Sequence, residues 1–236
     1  MRLLPDTFQM LDSVLARRFQ LLFPDGLEWD TAGVERLLQA GFGAGLHGLV
    51  RVVDSPLPSL SGAFLAQVQL VGSIIPSTDL SSANLSEANL DDVNLSRSDL
   101  RHANLHEASM SWTNLRGANL HQANLSEAAW VNGLLDLANL GEANLEKASL
   151  QRAVAAGANF NQAVLREADL SWSNLMFSDL NKADLSNANL RGANLHGANL
   201  SGANLSGVNL ADTIMTEVNL DGATLPDGWE EKVWER

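Results

Sequence analysis

From Leu80 to Leu225 every fifth residue is apolar. Thirty successive positions hold 25 leucines plus Met110, Trp130, Ala155, Phe160 and Met215, so no insertion or deletion interrupts the register. Two residues before each stands something small: Ala at 20 of the 30 positions, otherwise Thr, Ser, Val or Gly, which leaves no room there for bulk. The residue between is mostly Asn or Asp, as in SEANL (86–90), RGANL (191–195) and HGANL (196–200). No helix face can collect such leucines, because five steps of about 100° set successive ones about 140° apart. Over three residues of extended chain, by contrast, the small residue and the leucine point to one side and the Asn or Asp to the other. The two remaining residues, rich in Ser, Gly, Asp, Glu, Arg and His, must then turn. A repeated unit of one short strand and one turn is a β-solenoid.

Composition narrows the function classes. With 45% hydrophobic residues the 236-residue chain folds, and without cysteine it has neither disulfides, thiolate metal ligands nor a cysteine nucleophile. No run of about 18 apolar residues predicts a membrane span, and Pro5 and Asp6 fall where a signal peptide needs its apolar stretch, so the expectation is a soluble, cytoplasmic protein. Fifteen basic against 28 acidic residues, a net charge of −13, argue against direct nucleic-acid binding, which needs clustered Lys and Arg. Tyrosine is absent and aromatics are 6%, too few for a base-stacking platform.

The run from 78 to 225 resembles the pentapeptide repeat family, whose signature is A(D/N)LXX. The resemblance implies an all-β solenoid, a right-handed quadrilateral β-helix with four pentapeptides per coil. Thirty repeats make about seven and a half coils, a rod roughly 36 Å long at about 4.8 Å per coil. Leu60, Leu65, Leu70 and Ile75 keep the register and read as a degenerate first coil.

Both flanks break the pattern. Phe8, Leu11, Val14, Leu15, Leu21 and Leu22 have helical spacing across residues 6–22, and Pro24-Asp25-Gly26 ends them. A second helix is expected from Asp30, an N-cap, to Gly41. Residues 42–53 suit either a short helix or a strand. After Pro226-Asp227-Gly228, one or two helical turns would place Trp229, Val233 and Trp234 over the last coil. The expected organisation is an N-terminal α-helical region or cap (1–55), the β-helix (56–225) and a short helical C-terminal cap (226–236), since open solenoid ends expose strand edges.

Residues twenty apart stack on one side, so the surface reads as ladders. Glu87, Glu107, Glu127 and Glu167, with Lys147 interposed, form an acidic ladder. By resemblance this suggests DNA mimicry, because some family members bind type II topoisomerases such as DNA gyrase. Charge density disfavours it: residues 76–225 hold 8 basic and 17 acidic residues, net −9. That is one charge per roughly 4 Å of rod, against about 1.7 Å in duplex DNA. The chain also lacks the phenylalanine-rich central positions and loop insertions of gyrase-protecting relatives.

A second ladder is apolar. Around Leu135, Ala155 and Leu175 the outward positions include Leu134, Leu137, Val154, Ala156, Met176 and Phe177, and the neighbouring side adds Trp112, Val131 and Trp172. Such a patch marks an interaction surface unless the N-terminal helices cover it. His102, His106 and His121 lie on adjoining sides near Glu107 without a compact metal-ligand motif. No nucleophile elbow or phosphate-binding glycine loop occurs, and a rod offers no concave pocket. Inside, Trp130 and Phe160 overfill the leucine slot and Ala155 underfills it; Ala155 is expected to make room, with Trp130 turned inward. The chain therefore reads as a non-enzymatic scaffold without metal or cofactor, binding an unidentified protein partner, with a homodimer left open. An acidic gyrase-binding module is the alternative.

Overall fold

The computed structural model describes residues 2–3, 19–23, 25–41 and 57–229. From Phe64 onward, parallel bridges join each residue between small residue and leucine to the one twenty positions later, beginning Phe64 to Asn84 and ending Asn204 to Thr224. Twenty residues make one coil of four sides. We number the sides by their leucines: the first contains Leu80, the second Leu85, the third Leu90 and the fourth Leu95.

One unit accounts for all five of its amide protons, as buried backbone demands. Leu85 N–H donates to Asn104 O at 2.7 Å and Glu87 N–H to His106 O at 2.8 Å, both toward the next coil. Asn84 N–H donates back to Ala63 O at 2.9 Å, and Ala88 N–H closes a turn on Leu85 O at 3.1 Å. The fifth, of Ser86, goes to the Asn84 side-chain oxygen at 3.1 Å. The Asn or Asp of the motif is therefore a turn cap and not merely an outward polar residue. Its side chain also stacks: Asn104 Nδ2 donates to Asn84 Oδ1, and Asn124 Nδ2 to Asn104 Oδ1, at 3.3 and 3.1 Å. Each corner residue two after the leucine has positive φ, 56° at Glu87 and 62° at Trp112. That explains why glycine recurs there, at Gly62, Gly117, Gly157 and Gly192.

The leucine column and the small residues fill the interior; Leu120, Leu140 and Leu190 are fully buried. Trp130 points inward and is also fully buried. The space for its ring is made directly by Gly133, where a Cβ would lie 2.3 Å from the indole nitrogen. Glycine takes the place that alanine holds in most units, a local adjustment distinct from the expected relief at Ala155. The indole Nε1 has no hydrogen-bond partner among the described residues.

At the N-terminal end, β1 (Arg2–Leu3) pairs antiparallel with β2 (Leu27–Glu28). The second expected helix is α1 (Thr31–Gln39), N-capped by Asp30, whose side chain accepts from Gly33 N–H at 2.7 Å. α1 lies against the edge of the first coil. Glu35 Oε1 accepts from Phe64 N–H at 2.8 Å and Gln39 Nε2 donates to Phe64 O at 2.9 Å, while Leu37 and Leu38 join the core. Of the helix expected over 6–22, residues 19–22 are helical and the rest lie outside the described residues, as do 42–53 and the C-terminal turns with Val233 and Trp234.

Candidate functional site

From Asp79 to Asn219 the first side's capping column is polar throughout, and the second and third columns each hold a single apolar residue after residue 80, Val164 and Ala129. On the fourth, the capping column runs Asn94, Asn114, Leu134, Val154, Asn174, Asn194, so two caps in succession are replaced by apolar residues. Loss of the cap leaves Asp136 N–H without the oxygen its equivalents have; Ala156 N–H is instead taken by Asp136 Oδ1 at 3.3 Å. The apolar residues continue at the turns, where Met176 is half-buried, and at the corners.

The corners carry the bulk. Trp112 and Trp172 occupy the corner between third and fourth sides, and Leu137 and Phe177 the corner after the fourth. Their relative exposures are 62%, 56%, 74% and 60%, values that put large apolar surface in water. All four have φ between 57° and 62°, a conformation uncommon for bulky residues. Glycines in the next coil form seats beneath three of them. A Cβ at Gly157 would lie 3.0 Å from Leu137, at Gly192 2.4 Å from Trp172 and at Gly197 2.5 Å from Phe177. These side chains therefore lie along the rod toward its C-terminal end. Phe177 further meets the His196 ring edge-on at 5.2 Å.

Trp112, Leu134, Leu137, Val154, Trp172, Met176 and Phe177 thus share the fourth side or its corners, and Val131 sits on the third side next to the corner. The glycine seats and the capping role of Asn were not recognised in the sequence, although glycine enrichment two residues after leucine was their signal.

The acidic residues Glu87, Glu107, Glu127 and Glu167 stand at the corner between second and third sides. Glu87 accepts from Gln67 Nε2 at 3.0 Å, and Glu107 lies 3.1 Å from His106 Nε2. His106 Nδ1 is engaged with Ser126, and no group of three potential ligands able to hold a metal occurs among the described residues. Lowered carboxyl pKa values occur in the capping columns instead. Side-chain hydrogen bonds from Ser59 and Ser81 lower that of Asp79, and Arg101 lowers that of Asp99. At Asp169 and Asp184 burial pushes upward, yet hydrogen bonds from Ser171 and Ser186, respectively, help hold both below the ordinary range. These carboxylates are structural acceptors. Among the described residues no helix is long and apolar enough to cross a membrane.

The family model for pentapeptide repeats matches in eight copies over residues 78–227. Among curated proteins, none matches this chain. Among solved structures, HetL, a pentapeptide repeat protein involved in regulating heterocyst differentiation in the cyanobacterium Nostoc, is 28% identical. The match covers 86% of this chain and 99% of HetL at a TM-score of 0.50. The Nostoc pentapeptide repeat protein alr5209 is 28% identical over 41% of this chain and 77% of its own, with a TM-score of 0.25. QnrB1, a plasmid-mediated fluoroquinolone resistance protein, is 19% identical over 67% of this chain and 89% of its own, with a TM-score of 0.38.

Proposed function

We propose that this chain, which belongs to the pentapeptide repeat family and so forms a right-handed β-helix, is a non-enzymatic scaffold that binds another protein through its fourth side. The observation that carries the reading is the set of four large apolar corner residues, Trp112, Leu137, Trp172 and Phe177, each more than half exposed. A soluble rod gains nothing by wetting them, and aromatic anchors of this kind dominate protein interfaces. The functional organisation proposed with it is the one given by the sequence: an N-terminal region to residue 55, the β-helix, and a C-terminal cap from 226.

Replacing Leu137 and Phe177 together by Asp tests the reading. Capture of partners from the native lysate is expected to fall at least tenfold, while the control pair Glu107→Gln and Glu127→Gln leaves it unchanged. Equal capture by the aspartate variant would sink the assignment. In a gyrase supercoiling assay the protein is expected to neither inhibit nor protect from quinolones, since its carboxylates are sparser than the phosphates of duplex DNA.

A further inference from the structure

The fourth side also says what kind of partner segment it accepts. Apart from Asp136 N–H its backbone is spent: Leu135 N–H donates to Val154 O at 2.6 Å, Val154 N–H to Gly133 O at 2.9 Å and Ala155 N–H to Asn174 O at 2.8 Å. A strand laid on this side would find no ladder to join, so an occupant must satisfy its own amides, as an α-helix does. The relief fits a helix. Exposed corner residues, Trp112 and Trp172 on one edge and Leu137 and Phe177 on the other, flank half-buried Val154 and Met176, giving a trough along the rod axis. Trp112 and Trp172 are three coils apart, about 14 Å, which matches nearly three helical turns or about ten residues.

Charge and hydrogen bonding then select the polar edge of that helix. From Trp112 to Gly197 the fourth side and its corners carry only Arg116, Asp136, Arg152 and Arg191 as charged residues, on a chain of net charge −13, and Arg191 Nε reaches Asp212 Oδ2 at 3.4 Å. Arg116 Nε pairs with Asp136 Oδ2 at 2.8 Å, and Arg152, exposed at the tryptophan corner, has no side-chain partner among the described residues. Beside Arg152 two amides lack their usual acceptor. Ala129 and Ser149 stand where Asn or Asp caps elsewhere, and the N–H groups of Val131 and Gln151, one coil apart, make no hydrogen bond among the described residues. In the regular units this N–H donates to an outward side-chain oxygen, so these two face the exterior and can donate to an oxygen from outside.

Resting on the scaffold reading above, we propose that the fourth side receives an amphipathic α-helix of a partner protein. The helix lies along the rod with its apolar stripe in the trough. Its acidic edge faces the tryptophan corner, where carboxylates meet Arg152 and take the amide protons of Val131 and Gln151.

The test selects phage-displayed random 16-residue peptides on the full-length protein and measures the winning synthetic peptides in solution. Expected are peptides that become helical on binding by circular dichroism and carry Asp or Glu beside an apolar stripe. They should lose at least tenfold in affinity on Leu137→Asp/Phe177→Asp and on Arg152→Glu. Arg152→Gln, with an unchanged melting curve, should lose less, and Lys-for-Glu versions of the peptides should bind the Arg152→Glu protein better than wild type. Winners that need Leu137 and Phe177 but are non-helical, or are indifferent to Arg152, overturn the helix inference and leave the scaffold reading standing. Winners indifferent to Leu137 and Phe177, or no winners at all, overturn both.

Discussion

The first and fourth sides of the rod are built from the same five-residue unit and have diverged in one column. On the first side the capping position is Asn or Asp without exception from Asp79 to Asn219, and parts of the column are bonded side chain to side chain, Asn139 to Asn119 at 3.0 Å, Asn159 to Asn139 at 2.9 Å and Asn199 to Asp179 at 2.9 Å. On the fourth side Leu134 and Val154 interrupt it. The interior behind the interruption is irregular too: Trp130, Gly133 and Ala155 replace the usual leucine or alanine in the same two coils. The difference teaches that regularity here serves stability, and departures from it gather beside the exposed apolar side.

Substitutions that exchange the character of the two regions should therefore have opposite signs. The largest loss is expected where the irregular core is forced back to the common pattern at one residue only. Gly133→Ala drives a Cβ into the Trp130 ring and should cost about 1 to 3 kcal/mol in urea denaturation. Adding Trp130→Leu should recover most of it, and the absence of recovery would refute the glycine-tryptophan pairing. Next, Asn139→Ala on the first side removes the acceptor of buried Gly141 N–H and the partner of Asn159. A cost of about 1 to 3 kcal/mol follows from leaving buried polar groups unsatisfied.

Giving the fourth side the first side's column is expected to do the reverse. Leu134→Asn with Val154→Asn supplies the missing cap for Asp136 and should raise stability by roughly 0.5 to 1 kcal/mol while weakening partner capture. A destabilised double variant would show that the two apolar residues are there for packing. The smallest effect concerns acid. Asp184 titrates below its ordinary value of 3.8, so the stabilisation it brings is complete above that value and lost as pH falls through the lowered one. Asp184→Asn keeps the ladder bond to Asn204 available and should lose less of its urea midpoint between pH 5 and pH 2 than wild type.

The fold was legible because a period of five admits one physical solution, and Leu, Ala and Asn each report a different environment within it. The apolar side was legible for the same reason: once residues twenty apart stack, Leu137 and Phe177 fall on one corner. What escaped was directional. Hydrophobicity alone cannot tell that Asn84 caps Ser86 or that Phe177 lies down over Gly197, because these depend on where a bond or ring points. Gly133 escaped since a glycine in an alanine slot reads as a neutral exchange until the indole beneath it is seen.

The twenty-residue step between bonded partners also governs how such a chain can change length. Duplication or loss of a single pentapeptide would keep the interior filled but turn everything downstream by a quarter revolution, carrying Trp172 and Phe177 away from Leu137. Gain of four pentapeptides restores the alignment and lengthens the molecule by about 4.8 Å. Whole revolutions thus preserve the relation between the residues a surface displays, whereas any fractional change redirects everything beyond the point of insertion.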